Sequence, residues 1–320
     1  MSVPKAIFIG SLSLFVVIGG LALVKKKKDS APVEAAPIAV VIEEPQVQVE
    51  ERSQQYLKPV QDEVAEEEVD QVWRLFTKGK QKLPIVDTIR YKSRVSWLKG
   101  RPAWVTDYAS HYATSRHFIA RSLNGKKDYY TQKVSPGDQF NVLKEDVKFY
   151  LVVDLSRCKM WFYALDEKTN ERHLLKTYRV GLGRFDEESY SGLLTPKGKF
   201  SLGDKVAIYK EGMTGYFQDE EVEMVRVFGT RWIPFSEELS GEGDNPRGYG
   251  FHGAPWVFDV GTETYSEDLT TIGNYASDGC IRLSQSDIEE LYAIVITKPT
   301  VVEIVTDFHD AQVPGDLVEN

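Results

Sequence analysis

A cysteine and a histidine are the residues of this chain whose types and surroundings could support nucleophilic chemistry. Cys280 follows Gly279, which lets the backbone approach closely or take a positive φ, and a helical pattern begins a few residues later. Free backbone N–H groups at such a turn lower the pKa of a thiol and stabilise an oxyanion. The thiol needs a base within hydrogen-bond reach, and His252, flanked by glycines, is the candidate. The spacing alone leaves open a buried, reduced cysteine and an unrelated surface histidine.

The second cysteine, Cys158, is predicted to be a reduced strand residue. Two cysteines form neither a disulfide framework nor a multi-cysteine zinc site, and no metal or cofactor is implied. A disulfide between Cys158 and Cys280 would abolish the chemistry expected of Cys280.

The elements that must position these residues follow residue 146, where short apolar runs alternate with turns. This sequence pattern is typical of an antiparallel β-sandwich or barrel. The predicted strands cover residues 149–155, 159–164, 174–180, 199–202, 222–227, 250–252 and 301–305. One helix interrupts them: Ser284 and Asp287 form a capping box, and apolar residues at 288, 291, 292 and 295 share one face.

A small α+β unit is expected to precede this region, over residues 83–145. The pattern predicts a first helix over 104–113 and a second helix that is capped by Ser115 and ended by Asn124-Gly125. An alternating segment at 139–143 is predicted to be a strand. The order resembles a degenerate LysM module, which would bind glycan through residues 83–143. A spacer without a ligand is the alternative.

The first 82 residues are predicted to be an anchor and a linker. Residues 6–24 carry no charge and span ~28 Å as a helix, enough for a transmembrane segment within an anchor at 1–28. A cleaved signal peptide is the rival, but no small-x-small site follows residue 24. Residues 29–82 contain several prolines and many acidic residues and are predicted to be an extended linker. A helix over part of residues 61–76, with apolar residues at 64, 69, 72 and 75, is the alternative to a solvated acidic segment there.

Charge excludes one class of function. The net charge is −9, and residues 43–70 carry ten acidic and two basic residues, so nearly all the excess lies in the linker. Such a chain is not a nucleic-acid binder that works through phosphate contacts. The apolar fraction of 42% excludes wholesale disorder.

Four segments together resemble the YkuD-type L,D-transpeptidase catalytic domain over residues 148–306. Residues 151–156 resemble its opening strand, and residues 192–200 its Thr-Pro-x-Gly-x-Phe hairpin. Residues 251–253 resemble its His-Gly strand end, and residues 277–283 its Ser-His-Gly-Cys-Ile-Arg-Leu signature. The resemblance implies a mainly β fold with a short helix after the cysteine loop, extending over 146–308 and followed by a tail at 309–320.

The resemblance also implies roles for individual residues. Cys280 would be the nucleophile and His252 the general base, oriented by the backbone carbonyl of Gly253. The N–H of Gly279, with that of Cys280, would bind the oxyanion. Substrate binding is expected at four further residues: Arg282, Ser277, Asp278 and Tyr249.

Two features depart from the family pattern. Asp278 stands where the family usually has histidine, and its charge is expected to raise the pKa of the Cys280 thiol. The interval between His252 and Ser277 is longer than usual, which predicts a surface insertion near residues 261–271. The aromatic segment at 206–247 is expected to cover the donor substrate.

The function implied is cell-wall biogenesis, with consequences for cell shape. The enzyme would take peptidoglycan stem peptides as donor and acceptor, and would lie on the wall side of the cell envelope. The four lysines at 25–28 argue against that orientation. An L,D-carboxypeptidase that uses water, and a non-catalytic wall-binding protein, are the alternatives.

Overall fold

The computed structural model describes residue 59 and residues 68–318, apart from 128, 131, 190, 241 and 242. The predicted anchor at 1–28, with its apolar segment at 6–24, and most of the predicted linker lie outside the described residues. Within the described residues, no helix has the length and apolar character needed to cross a membrane.

Helices and short strands alternate along the described chain. In chain order the helices and strands are α1 (Trp73–Phe76), β1 (Val86–Arg90), α2 (Val105–His111), α3 (Arg116–Asn124), β2 (Gln139–Leu143), β3 (Val147–Asp154), β4 (Lys159–Asp166), β5 (Glu171–Arg179), β6 (Leu182–Gly183), β7 (Gly198–Leu202), β8 (Ala207–Ile208), β9 (Thr214–Phe217), β10 (Glu220–Glu223), α4 (Val225–Phe228), β11 (Arg231–Glu238), β12 (Gly250–Gly253), β13 (Trp256–Asp259), β14 (Thr264–Glu267), β15 (Tyr275–Ser277), β16 (Ile281–Leu283), α5 (Gln285–Val295), β17 (Thr300–Val305) and β18 (Asp316–Leu317). Two 3-10 turns lie at Leu269–Thr271 and Phe308–Asp310.

One ten-stranded sheet organises the second half of the chain. Its order is β16-β12-β11-β7-β17-β3-β4-β5-β18, and β8 also pairs with β11. Most neighbours are antiparallel, but three pairs run parallel: β12 with β16, β17 with β3, and β5 with β18. The mainly β architecture agrees with the sequence prediction, and the strands expected at 149–155, 159–164, 174–180, 199–202, 250–252 and 301–305 are confirmed within a few residues.

Both faces of the central strands are covered, because alternate residues of β3 join different apolar clusters. Phe149, Leu151 and Val153 belong to the main core, whereas Tyr150 and Val152 pack on the opposite face. Nearly every residue of β3 is therefore buried. The sheet is a rigid base for the loops at its β12–β16 edge.

Helix α5 packs against that edge and follows directly after β16. Ser284 caps it: its Oγ accepts a hydrogen bond from the N–H of Asp287 and donates one to the carboxylate of Asp287. Ile288 and Leu291 are completely buried in the main core. The capped helix predicted from sequence is confirmed, and it fixes the strand that leaves the cysteine loop.

The prediction of a strand at 222–227 is wrong in its second half. Strand β10 ends at Glu223, and Val225–Phe228 forms the short helix α4. Gly229 follows with φ +59°, and a Cβ there would lie 2.7 Å from the Cα of Gly253. The chain must turn at this glycine to return to β11, so tertiary contacts override the preference of valines for strands.

The small N-terminal unit has the element order β1-α2-α3-β2. β1 and β2 pair antiparallel, with Val86 opposite Leu143. Both predicted helices are present; Ser115 Oγ caps α3 by accepting from the N–H of Phe118, and Gly125 ends it with a positive φ. Phe118 lies in the same apolar core as the large sheet, so this unit is packed against that sheet.

The predicted linker ends before residue 82. Val72 and Leu75 are completely buried in the main core. The N–H of Gln71 donates to the carbonyl of Leu175 at 2.7 Å, which attaches this segment to β5. Residues 70–76 are therefore folded onto the sheet, in contrast to the extended linker that the acidic composition predicted.

Candidate active site

The cysteine loop connects β15 to β16 through a glycine that no other residue can replace without strain. Gly279 has φ +116°, a conformation that residues with a Cβ rarely adopt. A Cβ at this position would lie 2.6 Å from the carbonyl oxygen of Leu194 and would also overlap the ring of Tyr249. The sequence inference that Gly279 permits a positive φ and a close backbone approach is confirmed.

The side chain of Ser277 forms two hydrogen bonds within the cysteine loop. Its Oγ donates to the carbonyl of Cys280 at 2.6 Å and accepts from the N–H of Gly279 at 3.1 Å. The Gly279 N–H, expected from the resemblance to bind an oxyanion, is thus already hydrogen-bonded inside the loop. The N–H of Cys280 has no acceptor among the described residues and can donate to a ligand.

The Thr-Pro hairpin at residues 192–200 packs against the cysteine loop. Thr195 is completely buried, and its Oγ1 accepts a 2.7 Å hydrogen bond from the N–H of Gly183. A Cβ on Gly183 would lie 2.5 Å from the Thr195 nitrogen and 3.0 Å from the Cα of Gly279. Thr195 and Gly183 therefore fix the position of the cysteine loop.

His252 lies on β12 with only 3% of its surface exposed. Its Nδ1 is 2.7 Å from the carbonyl oxygen of Gly253. A carbonyl can only accept, so Nδ1 carries the proton and Nε2 is the basic nitrogen of the neutral ring. Phe228 packs edge-on against the imidazole at 5.4 Å, and Trp232 lies 6.1 Å away. The position of the Gly253 carbonyl is the one expected from sequence.

His252 and Cys280 line the same cavity, which has a volume of about 410 Å³. The remaining lining residues are Phe217, Gln218, Arg226, Val227, Phe228, Trp232, Gly248, Pro255, Ser277, Asp278 and Arg282. The Sγ of Cys280 lies 3.7 Å from the carbonyl oxygen of Gly248. Much of one wall comes from residues 206–247, the segment expected to cover the donor.

Burial keeps both candidate catalytic groups uncharged at neutral pH. It raises the pKa of the Cys280 thiol to about 11, with the guanidinium of Arg282 opposing the rise and the carboxylate of Asp278 adding to it. Burial, reinforced by Arg282, lowers the pKa of His252 to about 3. The free site therefore holds a thiol and a neutral imidazole, so the thiol proton must move during attack on a substrate. The expected effect of Asp278 on the thiol has the predicted sign.

Arg282 and Asp278 take different positions around the cysteine. Arg282 lies beside His252 in the parallel register of β16 and β12, and its Nη1 donates to the carbonyl of Ala276 at 3.2 Å. Asp278 forms a 2.6 Å ion pair with Arg184, and both side chains are more than half exposed. The aspartate thus turns towards a cation outside the cavity lining, a partner that the sequence did not reveal.

Tyr249 does not line the Cys280 cavity. Its ring contacts Gly279, and the residue lines a neighbouring cavity of about 590 Å³ together with Leu194 and Arg247. Its contact with the cysteine loop makes it a support for the loop.

Cys158 is buried and both cysteines are free thiols. Burial raises the pKa of the Cys158 thiol to about 12. No disulfide therefore removes Cys280 from the cavity. The prediction that Cys158 is a strand residue is wrong, because Cys158 lies in the turn before β4 with φ +50°. Among the described residues, no group of three or more histidine, cysteine or carboxylate side chains could hold a metal ion.

The predicted insertion after His252 is a hairpin. Strands β13 and β14 pair antiparallel, with Phe258 opposite Tyr265. These two rings pack on each other, with their centres 5.2 Å apart. Arg226, which the sequence gave no reason to select, reaches from α4 towards Tyr265, with its guanidinium carbon 6.0 Å from the ring centre.

Comparison with known protein families identifies the domain that contains this site. Residues 148–304 match the family model of the YkuD L,D-transpeptidase catalytic domain. These residues, just under half of the chain, are therefore a YkuD-type domain. The match contains both His252 and Cys280, and confirms the family that the four sequence segments indicated. The N-terminal unit lies outside the matched residues, and no curated protein matches the chain.

The solved structures that share weak similarity with the chain include the following two. One is Bdellovibrio bacteriovorus Bd1075, at 12% identity and a TM-score of 0.34, covering 50% of this chain and 47% of that one. The other is the helical cell shape determining protein Pgp2 from Campylobacter jejuni, at 13% identity and a TM-score of 0.34, covering 54% of this chain and 51% of that one. The chain thus spans about half the length of each.

Proposed function

We propose that the YkuD domain of this chain is a cysteine-dependent L,D-transpeptidase that acts on peptidoglycan stem peptides. The observation that carries the proposal is the shared cavity of Cys280 and His252, with the imidazole Nδ1–H held by the Gly253 carbonyl. This arrangement has the parts of a nucleophile, a base and an orienting acceptor. The family match supplies the substrate class.

The first half of the reaction forms a thioester. Cys280 Sγ attacks the carbonyl that joins the third stem residue to the terminal D-alanine, and its proton passes to Nε2 of His252. The Cys280 N–H donates to the oxyanion that develops on the attacked carbonyl. The C–N bond then breaks, and the protonated imidazole returns its proton to the amine of the departing D-alanine.

The second half transfers the acyl group. The side-chain amine of an acceptor stem attacks the thioester carbonyl, and His252 takes the proton that the amine loses. The C–S bond breaks, and the thiolate of Cys280 recovers a proton from His252. A 3→3 cross-link and the free enzyme are the products. Arg282, close to both catalytic side chains, is the candidate ligand for the D-alanine carboxylate.

Product analysis with defined stem peptides tests this proposal against its alternatives. We expect the native chain to release D-alanine from a tetrapeptide and to form a dimeric peptide when an acceptor amine is present. Cys280→Ala should do neither, whereas Cys158→Ala is the matched control and should retain both. Release of D-alanine with a tripeptide as the sole product would favour an L,D-carboxypeptidase. Absence of any Cys280 adduct with stem peptide or carbapenem would favour a non-catalytic wall-binding protein.

The proposal places the domain in the cell envelope, where its substrate lies. Residues 6–24 would anchor the chain in the membrane, with the catalytic domain on the wall side. The β1-α2-α3-β2 unit, whose order is compatible with a LysM-like module, would bind glycan. Protease accessibility in intact spheroplasts tests the orientation, and full protection of the domain would contradict it.

A further inference from the structure

The charge of the Cys280 cavity favours an anionic ligand. Two guanidinium groups, Arg226 and Arg282, and one carboxylate, Asp278, are among its lining residues. The carboxylate forms an ion pair with Arg184, 2.6 Å away. The cavity therefore has an excess of positive charge, and its apolar aromatic wall strengthens the field of these cations.

The two arginines come from different elements. Arg282 lies on β16, two residues after Cys280 and beside His252. Arg226 lies on α4, in the segment that supplies many of the lining residues. No carboxylate of the described residues lies within ion-pair distance of Arg226, and its guanidinium group rests near the ring of Tyr265. Arg226 is thus an exposed cation without an anion, held at the rim of the cavity.

A donor with two separated carboxylates would satisfy both arginines. The terminal D-alanine carboxylate leaves with the leaving group and lies next to the attacked carbonyl, within the reach expected of Arg282. We propose that Arg226 is a substrate-binding residue that recognises a second carboxylate, carried by the side chain of the third stem residue. The proposal rests on the function proposed above and names the donor that this site selects.

A guanidinium group distinguishes a carboxylate from its amide because the amide lacks the charge and one of the two acceptor oxygens. A hydrogen bond to a charged partner contributes enough free energy to change the rate of capture of a dilute donor about tenfold. Lysine at the same position would retain the charge but lose the two-pronged geometry, so it should preserve only part of this preference.

The test measures acylation of Cys280 by intact mass with two stem tetrapeptides at concentrations below saturation. The donors differ only in whether the third residue carries a side-chain carboxylate or the corresponding carboxamide. We expect the native chain to react about tenfold faster with the carboxylate donor. Arg226→Gln should lose this preference by slowing only the carboxylate donor, and Arg226→Lys should retain part of it. Arg94→Gln, the same change at an exposed residue of the N-terminal unit, is the control and should behave as the native chain.

Two results would overturn the role of Arg226. One is an equal rate for the two donors in the native chain. The other is an equal slowing of both donors in Arg226→Gln, which would mean that the variant disturbs the cavity wall. Alkylation of Cys280 by uncharged iodoacetamide at the native rate in Arg226→Gln would show that the nucleophile is intact. Failure of the native chain to form a thioester with either donor would instead refute the proposed function itself.

Discussion

Replacement of His252 by glutamine should remove much of the acid sensitivity of the fold. The folded ring is held neutral, with a pKa of about 3, because it is buried, whereas in the unfolded chain a histidine titrates near ~6.5. Between these values the unfolded state binds a proton that the folded state does not. The stability contributed by the neutral ring is therefore fully present above pH ~6.5. It is lost as the pH falls towards the pKa of His252 in the folded chain. At pH 4 the loss amounts to about 3 kcal/mol.

Urea unfolding of the native chain and of His252→Gln at pH 7 and pH 4 measures this loss. The other titrating groups are common to both proteins, so the difference between the two pH dependences isolates His252. We expect the native chain to lose about 3 kcal/mol more than the variant between these two pH values. Equal losses in the two proteins would refute the argument that burial keeps the imidazole neutral.

The remaining predictions concern the cysteine loop and the two thiols. Gly279→Ala should abolish acylation of Cys280 and lower the melting temperature. The new Cβ would collide with the carbonyl of Leu194, and the residue would have to adopt a φ of +116°. Native stability and activity in this variant would contradict the described loop geometry. Asp278→Asn should lower the pKa of the Cys280 thiol, measured from the pH dependence of iodoacetamide alkylation, because it removes a nearby negative charge; an unchanged or higher pKa would refute this electrostatic account. A thiol reagent should label Cys280 in the folded chain and Cys158 only after unfolding, since Cys158 is 1% exposed; rapid labelling of both would contradict the described burial.

Local signals were sufficient to predict the elements that surround the site. Ser284 and Asp287 determine where α5 begins through their own hydrogen bonds, so the sequence pattern directly reports the cap. The long strands β3 and β4 were visible because continuous apolar runs are typical of strands covered on both faces. By contrast, β1 gave little signal, since only Val86 of its five residues is buried.

The features that sequence could not supply depend on contacts between distant segments. Val225–Phe228 is helical because the chain must turn at Gly229 beside Gly253, and nothing local in the valines indicates this. The satisfied N–H of Gly279 depends on the rotamer of Ser277. The position of Arg226 in the cavity wall depends on the fold of the whole segment between β8 and β11. The resemblance of four segments to a known family identified Cys280 and His252, whereas the charge around them required the structure.

The most direct test of the account is the mass of the chain after brief incubation with a stem tetrapeptide. The account predicts an increase equal to the donor minus D-alanine, located by peptide mapping on Cys280 and absent from Cys280→Ala. His252→Gln should form the same adduct much more slowly, because the thiol then lacks its proton acceptor. A donor-derived adduct on Cys158, or a native chain whose mass does not change, would contradict the central claim.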